Sequence, residues 1–205
     1  MNIEQSLIIA AITWLAVISP GADFAIVSRN SYQYGKSAGL YSAAGIASGC
    51  WLHVLYATLG LTLIINYIPN FLVIMQYLGA AYLIYLGVST IYSQAFQETS
   101  HTLKHISHWQ HFRTGLLTNS LNPKTSIFVI SLYSQVIATT PSLQQWLWGT
   151  FISLSHFVWF AAIALFMSAK EIRHWILQRQ RSFNLIIGAL LSVLGILLLS
   201  ADLLL

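Results

Sequence analysis

The clearest shortage in this chain of 205 residues is of charged side chains, which make up only 7% of it. Soluble domains typically carry roughly 25% charged residues, whereas hydrophobic residues reach 57% here. This balance argues against a soluble protein and predicts an integral membrane protein. A chain of this length with several membrane crossings leaves no room for a second, soluble domain.

Other absences narrow the function. Cys50 is the single cysteine, which excludes an internal disulfide and a CxxC redox pair, so we interpret it as a packing residue. The chain contains no ATP-binding P-loop, so we expect no ATP-driven pump, and we also expect neither an enzyme nor a cofactor. The net charge of +4 does not indicate a nucleic-acid partner, because the basic residues lie mostly in loops that flank apolar runs.

Six apolar runs are long enough to cross a bilayer, which requires about 20 helical residues. They are Leu7 to Val27, Leu40 to Ile65, Phe71 to Tyr92, Gly115 to Ile137, Leu143 to Met167 and Leu185 to Leu204. The start of the chain lacks the basic segment of a cleaved signal peptide, so we expect the first run to be retained. The sequence therefore predicts an all-α integral membrane protein with six transmembrane helices and the lipid bilayer as a partner.

The basic residues are distributed unevenly among the breaks between these runs. Those in the breaks after runs 1, 3 and 5 are Arg29, Lys36, Lys104, Arg113, Lys170, Arg173, Arg179 and Arg181. The two chain ends and the other two breaks carry no Lys or Arg. By the positive-inside rule, the three basic breaks are cytoplasmic and both termini lie outside.

Two of the runs contain residues that break helices. Run 1 is interrupted at Pro20-Gly21, next to the ionisable Asp23, and run 4 is interrupted at Asn122-Pro123, next to Lys124. Proline removes a backbone donor and clashes with the preceding turn. In hydrocarbon, the freed backbone groups are tolerated only where protein or a water-filled cavity supplies partners. Paired breaks in corresponding spans therefore indicate the binding site of a transporter.

The order of the spans predicts how the chain is organised. The first three spans together lead from outside to inside, and the last three lead from inside to outside. This is the arrangement of a 3+3 inverted-topology repeat. We therefore predict one membrane transporter domain over residues 1–205. Its repeat halves are about 1–93 and 113–205, and the cytoplasmic loop 94–112 joins them.

Two histidines lie inside apolar runs. Pro20 precedes His53 by 33 positions, and Pro123 precedes His156 by the same 33. Equal spacing would place the two rings at related sites about the axis of the repeat. A histidine that faces a cavity can relay protons, and the alternative is a neutral ring that hydrogen-bonds between helices.

The loop 94–112 suggests a rival function. His101, His105, His108 and His111 recur at intervals of four, three and three, which keeps them along one side of a helix. Because imidazole is the commonest metal ligand, this pattern alone predicts divalent metal efflux with a metal-sensing loop. However, the loop has no Cys and few carboxylates, and its mixed composition fits a helix at the membrane surface. We favour the surface helix without a bound metal and keep metal efflux as the alternative.

Three stretches carry a family resemblance. The stretch Ser19-Pro20-Gly21-Ala22-Asp23-Phe24 resembles the first signature of the LysE/RhtB amino-acid exporters. Gly115 to Lys124, which reads GLLTNSLNPK and includes Asn119, is similar to the fourth-span motif of that family, and Gly79 to Gly87 resembles its third span. The SPGxDF form is most similar to the threonine and homoserine exporter branch. One departure is Ala22, which stands where the family usually has a second proline, and its absence weakens the expected kink.

The resemblance implies export of a small amino acid or close derivative across a bacterial-type plasma (inner) membrane, in exchange for incoming protons. A zwitterionic substrate needs a site for each charge, and half-helix ends of opposite polarity supply both. We hypothesise that Asp23 meets the ammonium group or the coupled proton, while Asn122, Lys124 and the amides after Pro123 face the carboxylate. The alternative is that Asp23 and Lys124 pair with each other or with Arg29. The substrate and the oligomeric state, a homo-oligomer included, stay open.

Overall fold

A computed structural model of the chain describes residues 3–64, 71–93 and 107–200. These residues form eight α-helices and no strands, which confirms the all-helical prediction. The helices are α1 (Ile3–Ile18), α2 (Ala22–Tyr34), α3 (Lys36–Ile64), α4 (Phe71–Ile91), α5 (His108–Ser120), α6 (Pro123–Thr139), α7 (Ser142–Ser168) and α8 (Lys170–Ser200). Helices α3, α4 and α7 match the predicted runs 2, 3 and 5 to within four residues at each end.

Three of these helices, α3, α7 and α8, are each long and apolar enough to cross a membrane. Helices α1 and α2 pass the same test only as a pair, which is bent by 53° at the break between them. The described part of the chain therefore contains three candidate spans, or four when the bent pair is counted as one. The predicted count of six spans is larger than this.

The last helix begins earlier than predicted. Run 6 was expected to start at Leu185, but α8 starts at Lys170, with only Ala169 between it and the end of α7. The basic segment expected to be a loop is helical, because Lys, Arg, Glu and Gln are good helix formers and residues 170–187 contain no Gly or Pro. An apolar run marks only the part of a helix that suits lipid, so it misses a polar extension of the same helix.

Helix α5 also extends into a segment predicted to be a loop. It begins at His108, seven residues before the predicted start of run 4. A capping box closes its first turn, in which Ser107 and Gln110 each pair a side chain with the other's backbone N–H. Of the predicted surface helix in loop 94–112, residues 108–112 are helical, while residues 94–106 lie outside the described residues.

Both predicted helix breaks are present. Helix α1 ends at Ile18 and α2 begins at Ala22, while α5 ends at Ser120 and α6 begins at Pro123. The backbone of Gly21 is extended there, with φ −178° and ψ −163°. The bend of 53° shows that Pro20 and Gly21 suffice to interrupt the span without a second proline at Ala22.

Glycines allow helices from the two halves of the chain to approach closely. Helix α3 packs most extensively against α5, and α4 against α8. A Cβ atom at Gly45 would overlap the backbone of Phe112, and one at Gly115 would overlap the backbone of Ser42. The GxxxG motif that begins at Gly45 therefore packs α3 against α5 within one molecule.

We expect Gly115→Ala to lower the free energy of unfolding by about 1–3 kcal/mol, the usual range for overpacking a tight contact. The added methyl group would force α3 and α5 apart, because the atoms it meets are backbone and cannot rotate away. The matched control is Gly60→Ala, since a Cβ at Gly60 would meet no packing neighbour within 4 Å among the described residues. Thermal unfolding in detergent checks the prediction, and equal melting temperatures for the two variants would contradict it.

Candidate functional site

The two helix breaks lie side by side. The ammonium group of Lys124, in the first turn of α6, donates a hydrogen bond of 2.6 Å to the backbone carbonyl of Ser19, just after the end of α1. This carbonyl is among the groups left without a helical partner by the break. A positive charge at the carboxyl end of a helix is also favourable to the helix dipole. Lys124 belongs to the second break and thus stabilises the first one.

Asp23 belongs to the first break and is held by residues of the second. It lies in the first turn of α2 and is buried, with 5% of its surface exposed. Its Oδ2 accepts hydrogen bonds from Asn119 Nδ2 at 2.8 Å and from Asn122 Nδ2 at 3.2 Å. Its Oδ1 is buried and has no hydrogen-bond partner among the described residues. A buried acceptor without a partner is unusual in folded proteins, so this oxygen is the candidate contact for a cation or a proton.

Asn122 holds the site together and does not line the cavity described below. Its Oδ1 accepts the backbone N–H of Lys124 at 3.0 Å, which caps α6, while its Nδ2 is bonded to Asp23. Both ends of the carboxamide are therefore engaged. The geometry shows that Asn122 positions Asp23 and the start of α6, while its hypothesised contact with a substrate carboxylate stays a prediction.

Asn119 also joins several elements. Its Nδ2 contacts Thr125 Oγ1 at 3.3 Å in addition to Asp23, and its backbone carbonyl lies 2.8 Å from Nε2 of His53 on α3. One residue at the end of α5 therefore connects α2, α3 and α6. Because Asn119 is completely buried, a shift of one of these helices will disturb the hydrogen bonds that Asn119 makes with the others.

A small cavity opens beside Asp23. Its volume is about 10 Å³, room for about one water molecule. Its polar lining side chains are Asp23, Lys124, Thr125 and His156, and its apolar ones are Ala16, Val17, Phe128 and Phe160. The cavity therefore presents a carboxylate, an ammonium group, a hydroxyl and an imidazole next to an apolar wall. It is too small for an amino acid in this conformation.

Both histidines of the apolar runs belong to this region. His156 on α7 lines the cavity, and its Nδ1 lies 2.9 Å from the carbonyl oxygen of Ile152. His53 on α3 lies behind Asn119, and its Nδ1 is 2.6 Å from the hydroxyl of Tyr56. Both side chains are buried, at 4% and 0% exposed, so neither is on a lipid-facing surface. Their relation by a repeat axis stays a prediction.

The remaining predicted residues shape the backbone. Pro123 is the first residue of α6, where its missing N–H and fixed φ suit a helix start. A Cβ atom on Gly21 would lie 3.4 Å from Cδ of Lys124, so the lysine chain runs directly over this glycine. Pro20 does not line the small cavity and instead borders a second one of about 250 Å³.

That second cavity is unsuited to a zwitterion. It lies among α1, α2, α7 and α8, and its walls include Phe24, Trp159, Trp175 and Phe183. Gln180 and Asn184 contribute polar groups, but no charged side chain lines it in the part of the chain that the structure describes. The small cavity is therefore the better candidate site.

Sequence reasoning missed several groups that take part in the site. The Ser19 carbonyl, the Thr125 hydroxyl and the apolar wall were not predicted. Thr125 directly follows Asn122-Pro123-Lys124 at the start of α6, and that adjacency was a usable signal. The wall residues come from α1, α6 and α7 and look like ordinary apolar residues of membrane helices, so the sequence carried no signal for them.

The histidines of the loop do not form a metal site within the described residues. His101 and His105 lie outside them, His108 stacks on Tyr41 with 4.5 Å between ring centroids, and His111 contacts Tyr34 at 5.1 Å. No group of three or more His, Cys, Asp or Glu residues that could hold a metal occurs in residues 3–64, 71–93 and 107–200.

Comparisons with known proteins give a consistent result. Residues 14–202 match the family model described as LysE type translocator. The membrane protein YrhP of Bacillus subtilis is 32% identical over 89% of this chain and 92% of its own length. The threonine efflux protein of Salmonella typhimurium is 28% identical over 92% and 94% of the two chains. The homoserine/homoserine lactone efflux protein of the same organism is 28% identical over 91% and 92%. No solved structure resembles the chain closely enough to count as a match.

Proposed function

The chain belongs to the LysE family of translocators, and we propose that it exports a small amino acid or derivative, threonine-like or homoserine-like, in exchange for protons. The family match confirms the resemblance seen in the sequence, and it confirms the prediction of a transporter and not an enzyme. Relatives named for threonine and homoserine efflux support amino-acid efflux as the activity.

The observation that carries this proposal is the placement of Asp23 and Lys124 around one cavity at two helix breaks. The ammonium group of an amino acid would bind Oδ1 of Asp23, the oxygen without a partner. Its carboxylate would bind Lys124 and the positive amino-terminal end of α6. Asn119 and Asn122 orient Asp23 by holding its other oxygen.

Exchange with protons follows from competition for the same oxygen. A proton on Asp23 and an ammonium group beside it cannot be bound together, because protonation removes the negative charge that attracts the ammonium. A substrate released outside would leave Asp23 free to take a proton, and release of that proton inside would restore the site. One carboxylate would thus couple two opposite movements.

Transport also requires the site to open to each side in turn. We propose six spans arranged as a 3+3 inverted repeat in an inner membrane, with α1–α2 and α5–α6 each forming one broken span and both termini outside. The matched breaks and the charge distribution among the loops support this arrangement. The cavity of about 10 Å³ must enlarge when substrate binds, and the two breaks are where the helices can bend.

A substrate panel in everted membrane vesicles tests the proposal. We expect labelled threonine or homoserine to accumulate inside the vesicles when their lumen is acidic, and an ionophore that collapses the proton gradient should stop this accumulation. Nickel, cobalt and zinc are included to test the alternative of metal efflux. Accumulation of metal ions without any amino acid would overturn the proposed function.

A further inference from the structure

We propose that His156 selects substrates that carry a hydroxyl group on the side chain. This inference rests on the proposed function, because it names the residue that reads the substrate side chain in the same cavity. It gives His156 a role in substrate recognition that differs from the proton relay considered for it from the sequence.

The hydrogen bond of His156 to the backbone determines whether Nε2 of its ring donates or accepts a hydrogen bond. Nδ1 of His156 lies 2.9 Å from the carbonyl oxygen of Ile152, one turn earlier on α7. A carbonyl oxygen can only accept, so Nδ1 carries the proton and donates it. In the neutral imidazole, Nε2 then has a lone pair and acts as an acceptor.

The other polar groups of the cavity are already assigned. In the proposed binding mode, Asp23 takes the ammonium group and Lys124 takes the carboxylate of the substrate. Thr125 Oγ1 accepts a hydrogen bond from Asn119. The Thr125 hydroxyl can still donate or accept, whereas Nε2 of His156 can only accept and therefore needs a donor from the substrate. The cavity that His156 lines also has an apolar wall that includes Phe128 and Phe160.

The cavity should then distinguish a substrate side chain with a hydroxyl group from one of the same shape with a methyl group. The hydroxyl of threonine can donate to Nε2, whereas the matching methyl of valine would bury this nitrogen without a partner. Sites that hydrogen-bond a substrate hydroxyl reject the analogue that lacks it more strongly than apolar pockets reject an added group.

The charges at the cavity also disfavour a basic substrate. Asp23 is the only carboxylate that lines it in the described part of the chain. A second cationic group on the substrate, as in lysine, would meet Lys124 and His156 with no further negative charge to offset its burial. The favoured class is a small, neutral, hydroxylated amino acid.

Initial rates in proteoliposomes containing the purified protein test this inference. We expect the unmodified protein to transport threonine over valine by about tenfold to a hundredfold, the effect of leaving one buried acceptor without a partner. His156→Leu should bring this ratio close to one, whereas His156→Gln, whose carboxamide can also accept a hydrogen bond, should keep a preference for threonine. His53→Leu is the matched control, because His53 does not line the cavity and its loss should leave the ratio unchanged even if the rate falls.

The outcomes separate this inference from the proposed function. Transport of both amino acids at equal rates by the unmodified protein would overturn the role of His156 and leave amino-acid export intact. An unchanged ratio of threonine to valine transport in His156→Leu would also overturn the role of His156. So would a His156→Leu protein that loses proton coupling but keeps its preference for threonine. If His156→Leu does not fold, homoserine compared with norvaline in the unmodified protein and in His156→Gln decides the question. If no amino acid is transported, both proposals fail.

Discussion

Asp23→Asn protein in proteoliposomes is expected to lose proton-driven export of threonine by about a hundredfold or more. Removing one partner of a buried charge pair corresponds to roughly 3–5 kcal/mol, and the proposed pair here is Asp23 with the substrate ammonium group. Asparagine can neither balance that charge nor bind the coupled proton. Transport of labelled threonine with and without a pH gradient measures both effects.

This substitution should leave the fold intact. The side-chain oxygen of asparagine can replace Oδ2 of Asp23 as the acceptor for Asn119 and Asn122, so these hydrogen bonds are retained. Glu171→Gln is the matched control, since it makes the same chemical change at an exposed residue in the first turn of α8. Proton-coupled export that survives in Asp23→Asn would remove Asp23 from the coupling mechanism.

Lys124→Met is expected to raise the KM for the amino acid by about a hundredfold, again from the loss of a buried charge partner. The variant removes the proposed partner of the substrate carboxylate. It also leaves the Ser19 carbonyl without its 2.6 Å hydrogen bond, so the free energy of unfolding should fall by about 1–3 kcal/mol. Transport kinetics and thermal unfolding with and without threonine measure the two effects separately.

Comparison of variants distinguishes recognition from support of the break. Lys36→Met serves as the control, because Lys36 is an exposed lysine at the first residue of α3. Lys124→Arg keeps the charge and should retain part of the transport. If Lys124 only supports the break, Lys124→Met will melt at a lower temperature while its KM and its stabilisation by threonine stay unchanged.

In the proposed transport cycle, the same residues would link substrate binding to the motion of the helices. Asp23 on α2 is held by two asparagines that flank the second break, and Lys124 on α6 is held by the first break. A charge that binds at Asp23 would therefore act on both helix breaks at once. In the proposed transport cycle this reciprocal arrangement would couple the two breaks, because a rearrangement of one break would disturb the hydrogen bonds that hold the other.

Local chemistry in the sequence was enough for several conclusions. The scarcity of charge predicted a membrane protein, and the proline and glycine residues predicted where helices stop, since these effects act within one turn of the chain. The three stretches that resemble the LysE/RhtB exporters were sufficient to identify the family. Polar helix extensions, such as the first half of α8, were missed because hydropathy alone does not report helix formation by Lys, Arg and Gln.

Only the tertiary structure decided how the site is assembled. The hydrogen bonds of Asp23 with Asn119 and Asn122 span 96 and 99 residues, and the bond from Lys124 to Ser19 spans 105. No local pattern specifies such partners, because they depend on how α2, α5 and α6 pack together. The sequence by itself therefore determined that two helix breaks and two opposite charges exist, while packing decided that Asn122 supports Asp23 and that His156 lines the cavity.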